Sequence, residues 1–119
     1  MPQAKLTLQA RRVNTRVSII DIEGEVTSAA EQTLMDVYGA ATDAGARVII
    51  LNFTGLEYMN SSGIGLLVTL LIRINRQKQR LLSFGLSEHY RTIFELTRLD
   101  DAIGIYPTES DALAAASAS

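Results

Sequence analysis

The run Val48-Ile49-Ile50-Leu51-Asn52-Phe53 constrains this chain more than any other stretch. It is apolar and does not alternate. A strand with one wet face alternates, so this one has to be covered on both faces, as the central strands of parallel sheets are. Parallel neighbours cannot be joined by a tight turn; they need a crossover, usually a helix. The next long apolar run, Ile64 to Ile74, repeats at helical spacing. Between the two lies Tyr58-Met59-Asn60-Ser61-Ser62-Gly63. A buried strand, a loop of small residues and an apolar helix therefore follow one another.

The rest of the chain fits the same plan. Lys5 to Arg12 places Leu6, Leu8 and Ala10 on one side, the pattern of a half-buried edge strand. Asn14-Thr15 supplies a turn. Val17 to Glu23 then returns antiparallel to the first strand and stops at Gly24. Ser28-Ala29-Ala30-Glu31 has capping-box spacing and opens a helix. Its inner stripe is Ala30, Leu34, Val37, Tyr38 and Ala41, and Gly45 ends it. Gly39 costs up to about 1 kcal/mol against alanine there, a cost that close packing would explain. The strand Arg47 to Phe53 should end at Thr54-Gly55.

A second helix is expected from Ser62 to about Gln79, with Ile64, Leu67, Val68, Leu71 and Ile74 facing the sheet. Leu66, Leu70 and Ile72 widen its apolar arc to roughly twice the usual stripe of about 100°. Either neighbouring elements cover those flanks or part of the helix meets a partner. Arg73, Arg76, Lys78 and Arg80 complement the helix dipole and keep that end solvated, and do not read as a phosphate patch. A short strand over Leu81 to Phe84 follows. Ser87 caps a third helix carrying Ile93, Phe94 and Leu96. Ile103 to Tyr106 forms the last strand, and Thr108 with Asp111 opens a final helix. Ser117 to Ser119 should fray. The order β-β-α-β-α-β-α-β-α predicts an α/β fold: a mixed, mostly parallel sheet with helices packed against it. One domain is expected over residues 1–119, with its core at about 5–115.

Several functions are disfavoured. A net charge of −2 gives no reason to expect nucleic acid as a partner. With no cysteine there is no thiol chemistry, and with His89 as the sole histidine a transition-metal site is not expected. His89 reads as a surface residue. The N-terminal residues lack a signal-peptide core, and Ile64 to Ile74 has about half the length a bilayer requires, so a cytoplasmic protein without membrane contact is expected. Met59 occupies the place where a nucleophile elbow around Ser61 would need glycine. No phosphate-binding loop or dinucleotide fingerprint is present. Neither an enzyme nor a cofactor is expected.

The serines remain. Where a loop opens a helix, Ser61 or Ser62 would ordinarily cap it, with Ser62 the better cap. The same position also exposes free N–H groups and the positive end of the helix dipole, which suits a phosphate. The stretch from Asn52 to Gly65, Asn-Phe-Thr-Gly-Leu-Glu-Tyr-Met-Asn-Ser-Ser-Gly-Ile-Gly, resembles the signature of STAS domains of the anti-sigma factor antagonist type. Gly24-Glu25-Val26 after a strand, and Ile93-Phe94-Glu95-Leu96-Thr97 before the last one, extend the likeness.

The resemblance implies a STAS fold and a phosphorylation switch at Ser61. The unmodified protein would bind an anti-sigma factor, itself a serine kinase with a histidine-kinase-like ATPase fold, and so release a sigma factor. Phosphorylation would break that complex, and a PP2C-type phosphatase would restore it. The implied contact surface is Asn60, Ser61, Ser62, Gly63 and Ile64 with Glu25, Thr27 and Ser28. A monomer or weak dimer is the simplest state. Family members commonly carry aspartate at the positions of Asn60 and Thr27, so this chain lacks two carboxylates beside the serine. The alternatives are a STAS interaction module outside sigma regulation, such as a constitutive scaffold or transport-system subunit, and a nucleotide binder.

Overall fold

The computed structural model describes residues 6–118. Lys5 as the start of the first strand, and fraying at Ser119, lie outside the described residues. The elements are β1 (Leu6–Arg12), β2 (Val17–Val26), α1 (Glu31–Asp43), β3 (Val48–Met59), α2 (Ser61–Arg76), β4 (Arg80–Phe84), α3 (Glu88–Leu96), β5 (Gly104–Tyr106) and α4 (Glu109–Ser117). Short 3-10 turns precede α1 and β5. The sheet order is β1-β2-β3-β4-β5, with β1 antiparallel to β2 and every other pair parallel. The mixed sheet read from the sequence is the one observed.

This topology dictates the layers. Three right-handed crossovers that each step one strand in the same direction must put their helices on the same face. Accordingly α1, α2 and α3 pack together on one side, where Leu34, Tyr38, Leu67, Leu70, Ile74 and Phe94 meet Ile20, Ile49, Leu51 and Phe53. The alternate residues Val17, Ile19, Val48, Ile50, Leu82 and Phe84 face the other way, and α4 covers them with Ala112 and Ala116. Both faces of β3 are thus dry, as its unalternating run requires. Phe53 and Phe94 meet edge to face, centroids 5.9 Å apart, which ties α3 to β3.

Local signals held at several points. Asn14 Oδ1 accepts from the N–H groups of Arg16 and Val17 and closes the β1–β2 turn. Gly45 ends α1 at φ +105°, in the region glycine enters freely. Ser87 and Thr108 cap α3 and α4. His89 is exposed.

Other expectations need correction. Gly24 does not end β2, and Thr54-Gly55 does not end β3. Both strands run on, paired through two register shifts that bring Val26 opposite Met59. Such bulges let a strand continue where a glycine would otherwise terminate it. Gly39 is not demanded by close packing, since nothing lies within 4 Å of an added Cβ. The Ser28–Glu31 capping box does not form: Thr27 Oγ1 accepts from Ala29 instead and caps a 3-10 turn, and α1 starts only at Glu31. Helix α2 stops at Arg76 because Lys78 turns left-handed, at φ 56°. Gln79 leaves the helix, and its buried amide bonds Ala46, Thr42 and Tyr38. On α2, Leu66 and Leu70 are buried, whereas Val68 is 44% exposed. Leu96 points outward at 79% exposure. Ile103, fully buried, precedes β5 rather than starting it. Ser117 does not fray; its hydroxyl donates to the carbonyls of Leu113 and Ala114.

Candidate functional site

The ends of β2 and β3 meet the start of α2 at one edge of the molecule. Val26 pairs with Met59, and Glu25 with Tyr58. The backbone N–H of Asn60 then donates to the carbonyl of Val26 at 3.3 Å. Gly63 comes so close to the same carbonyl that an added Cβ would lie 2.3 Å from it and 2.7 Å from Met59 Cγ. Only glycine fits. The first turn of α2 is thereby pressed onto the tip of β2, and the Glu25–Ser28 segment lies beside Asn60–Ile64. All eight residues singled out from the sequence, Glu25, Thr27, Ser28, Asn60, Ser61, Ser62, Gly63 and Ile64, gather in this one place.

The cap is not a serine. Asn60 is the capping residue: its backbone is extended at φ −93° and ψ −176°, and its Oδ1 accepts from Gly63 N–H at 2.9 Å. Neither Ser61 nor Ser62 caps α2, contrary to expectation. Asparagine is among the best residues for this task, and standing one position earlier it takes the role first. Ser61 and Ser62 become the first two helical residues, both exposed. Their hydroxyls are left free of capping, at a helix N-terminus that favours anionic groups. Asn60 is half-buried, as are Glu25, Thr27 and Ile64; Ser28 is exposed.

Beneath the loop, the phenol of Tyr90 accepts the buried N–H of Met59 at 2.8 Å. This bond anchors the end of β3 to α3. No local signal marks it, because the partners come from separate elements. Part of the widened apolar arc of α2 is left uncovered, and Val68 belongs to it rather than to the sheet-facing stripe. Ser61, Gly65, Val68 and Ile72 follow one another at helical spacing, and all are exposed. Val68 and Ile72 form an exposed apolar strip running away from the serines.

A second polar cluster lies further back on the sheet. Arg11 holds Asp21 with two hydrogen bonds of 2.6 and 2.9 Å and reaches Glu109 at 2.8 Å. Asn52 donates to Asp21 at 2.8 Å. Burial pushes the Asp21 carboxyl up, but the hydrogen bonds from Arg11 and Asn52 outweigh it and hold that carboxyl below its usual range. The cluster joins β1, β2, β3 and α4. Among the described residues no group of His, Cys, Asp or Glu could hold a metal ion. No described helix is long and apolar enough to cross a membrane.

A five-stranded mixed sheet carries α1, α2 and α3 on one face and α4 on the other, with the start of the central crossover helix held at the sheet's end, and this defines an α/β domain of a recognisable class. The STAS domain model matches residues 9–112, and this chain belongs to the STAS domain family. An anti-sigma-B factor antagonist of Staphylococcus aureus is 29% identical over 86 residues, covering 72% of this chain and 80% of that protein. The anti-sigma factor antagonist SpoIIAA in its unphosphorylated form superposes with a TM-score of 0.75 at 22% identity, over 95% of this chain and all of that one. The Bacillus cell fate determinant SpoIIAA in its phosphorylated form gives 0.72 at 23% identity, over 92% and 99%.

Proposed function

We propose that this chain is an anti-sigma factor antagonist switched by phosphorylation of Ser61. The observation that carries the reading is the displaced cap. Because Asn60 serves the helix end, the Ser61 hydroxyl is exposed and available for modification. The names of the similar proteins support the same class.

The physics of the switch is local. The partner is an anti-sigma factor that acts as a serine kinase with a histidine-kinase-like ATPase fold. It docks on Asn60 to Ile64 and Glu25 to Ser28, and the strip of Val68 and Ile72 extends that surface along α2. Transfer of a phosphoryl group to Ser61 adds roughly −1.5 to −2 charges. At the start of a helix those charges sit favourably, so the fold survives. The change falls on the interface, where a surface of small residues acquires a hydrated dianion. A loss of about 3 kcal/mol there weakens binding roughly a hundredfold. A PP2C-type phosphatase resets the switch.

Mass spectrometry of the protein isolated from its own cells, with co-purified proteins identified, tests this reading. A phosphate on Ser61 beside a kinase of that fold supports it. Ser61→Ala should fold normally and bind the partner permanently; Ser61→Asp should fold and bind weakly. An unmodified Ser61 across growth and stress conditions, with a partner other than a kinase, would instead support a constitutive interaction module.

A further inference from the structure

The opposite end of the sheet carries a different feature. Arg16 and Arg47 stand side by side just before β2 and β3, and Arg80 opens β4 in register with Val48. The backbone N–H of Arg47 donates to the carbonyl of Arg16 at 2.7 Å, and that of Arg80 donates to the carbonyl of Arg47 at 3.0 Å. Arg80 thus sits one residue past the level of Arg47, and the three side chains come together only in lining the cavity at this end of the sheet. Lys78, held left-handed just before β4, adds a fourth cation. With Asn14 and Ser117, these residues line a half-open cavity of about 230 Å³.

No carboxylate among the described residues pairs with any of the four cations. The ion pairs there lie elsewhere, at Arg11–Asp21, Arg11–Glu109 and Arg98–Asp101. Two of the arginines are nevertheless fixed in place. Arg47 donates to the carbonyl of Lys78 at 3.2 Å, and Arg80 donates to the carbonyls of Ala115 and Ala118 at 3.2 and 3.4 Å. These bonds to neutral carbonyls orient the guanidinium groups without neutralising them, and among the described residues no carboxylate does so. Cations that line one small cavity repel one another, because salt screens little within a Debye length of about 8 Å. A chain with a net charge of −2 has thus gathered four cations at the mouth of one cavity. Arg73 and Arg76, which precede Lys78 in sequence, do not line it.

We propose that this cavity binds a small soluble polyanion of the diphosphate class. Planar guanidinium forks suit phosphate oxygens because they donate in pairs, and Lys78 supplies a point charge. The concave shape favours a compact solute over a flat bilayer. The site is independent of Ser61, which lies at the other end of the parallel strands.

The test is a titration of the isotope-labelled chain with inorganic pyrophosphate at physiological ionic strength, followed by backbone amide NMR. Saturable shifts confined to the Asn14–Val17 turn, Arg47, Lys78–Arg80 and the end of α4 are expected. The double variant Arg16→Gln/Arg47→Gln should weaken binding tenfold or more with an unchanged melting temperature, since both side chains are exposed. Should that variant fail to fold, Lys78→Asn serves in its place, because asparagine tolerates the left-handed conformation. Shifts that do not saturate, that sodium chloride reproduces, or that persist unweakened in the folded variants would overturn the proposal. So would a response to phosphatidylglycerol vesicles with none to pyrophosphate.

Discussion

The hydroxyl of Tyr90 accepts the backbone N–H of Met59 at 2.8 Å, beneath the loop that carries Ser61. One bond from α3 thereby fixes the last residue of β3, and with it the place where α2 begins. Tyr90→Phe keeps the ring but strands a buried donor. The expected cost is about 1–3 kcal/mol, the desolvation penalty of an unpaired N–H. Chemical denaturation should register it. A midpoint equal to that of the parent protein would mean that another acceptor, such as water, replaces the phenol.

Asn60 should prove separable from the serines it precedes. Asn60→Ala removes the acceptor for Gly63 N–H, at about 1 kcal/mol. Asn60→Asp keeps an acceptor and adds a negative charge near the positive end of α2, worth about 0.3–1 kcal/mol in its favour. The expected order of thermal stability is Asp at or above Asn, then Ala. Equal stability for all three would show that the cap contributes nothing.

Gly63→Ala should be the most damaging small substitution at this end of the molecule. Its Cβ would stand 2.3 Å from the carbonyl of Val26. Relief requires α2 to move off β2, and overpacking of this kind costs about 1–3 kcal/mol. Gly65→Ala is the control, since nothing lies within 4 Å of an added Cβ. It should match or exceed the parent, because alanine is the better helix former. A denaturation series on the two variants distinguishes close approach from a general need for glycine.

Asp21 predicts a dependence on pH. Its carboxyl is held below the ordinary value by Arg11 and Asn52 despite the burial that pushes it up. A depressed folded value means that the contribution is complete above the unfolded value of about 3.9 and is lost as pH falls through the folded one. Arg11 is 42% exposed, so solvent screening limits the contribution to about 1 kcal/mol. Asp21→Asn should therefore be less stable than the parent at neutral pH, and the gap should close in strong acid. A gap constant from neutral pH to pH 2 would refute this account.

The sequence carried the architecture because the signals for it are local and numerous. The unalternating run at Val48–Phe53 demanded a doubly covered strand, and the spacing of strands and helices around it left few topologies. The turn at Asn14, the stop at Gly45 and the caps at Ser87 and Thr108 likewise depend on neighbours within a few residues. The errors fell where one segment's fate depends on a distant one. Thr54 to Met59 looks like a loop by itself; it is a strand because Glu23 to Val26 lies alongside. Leu70 is core and Val68 is surface because one face of α2 packs into the core against the sheet and the opposite face is left open. Ser61 and Ser62 can both cap a helix, but the folded chain starts α2 at Ser61 and gives the cap to Asn60. The sequence alone therefore determined the strand–loop–helix frame and the residues grouped at its tip. Tertiary structure decided which of them cap, which are buried and which stand exposed, because burial and hydrogen-bond partnership belong to pairs of segments and not to either segment alone.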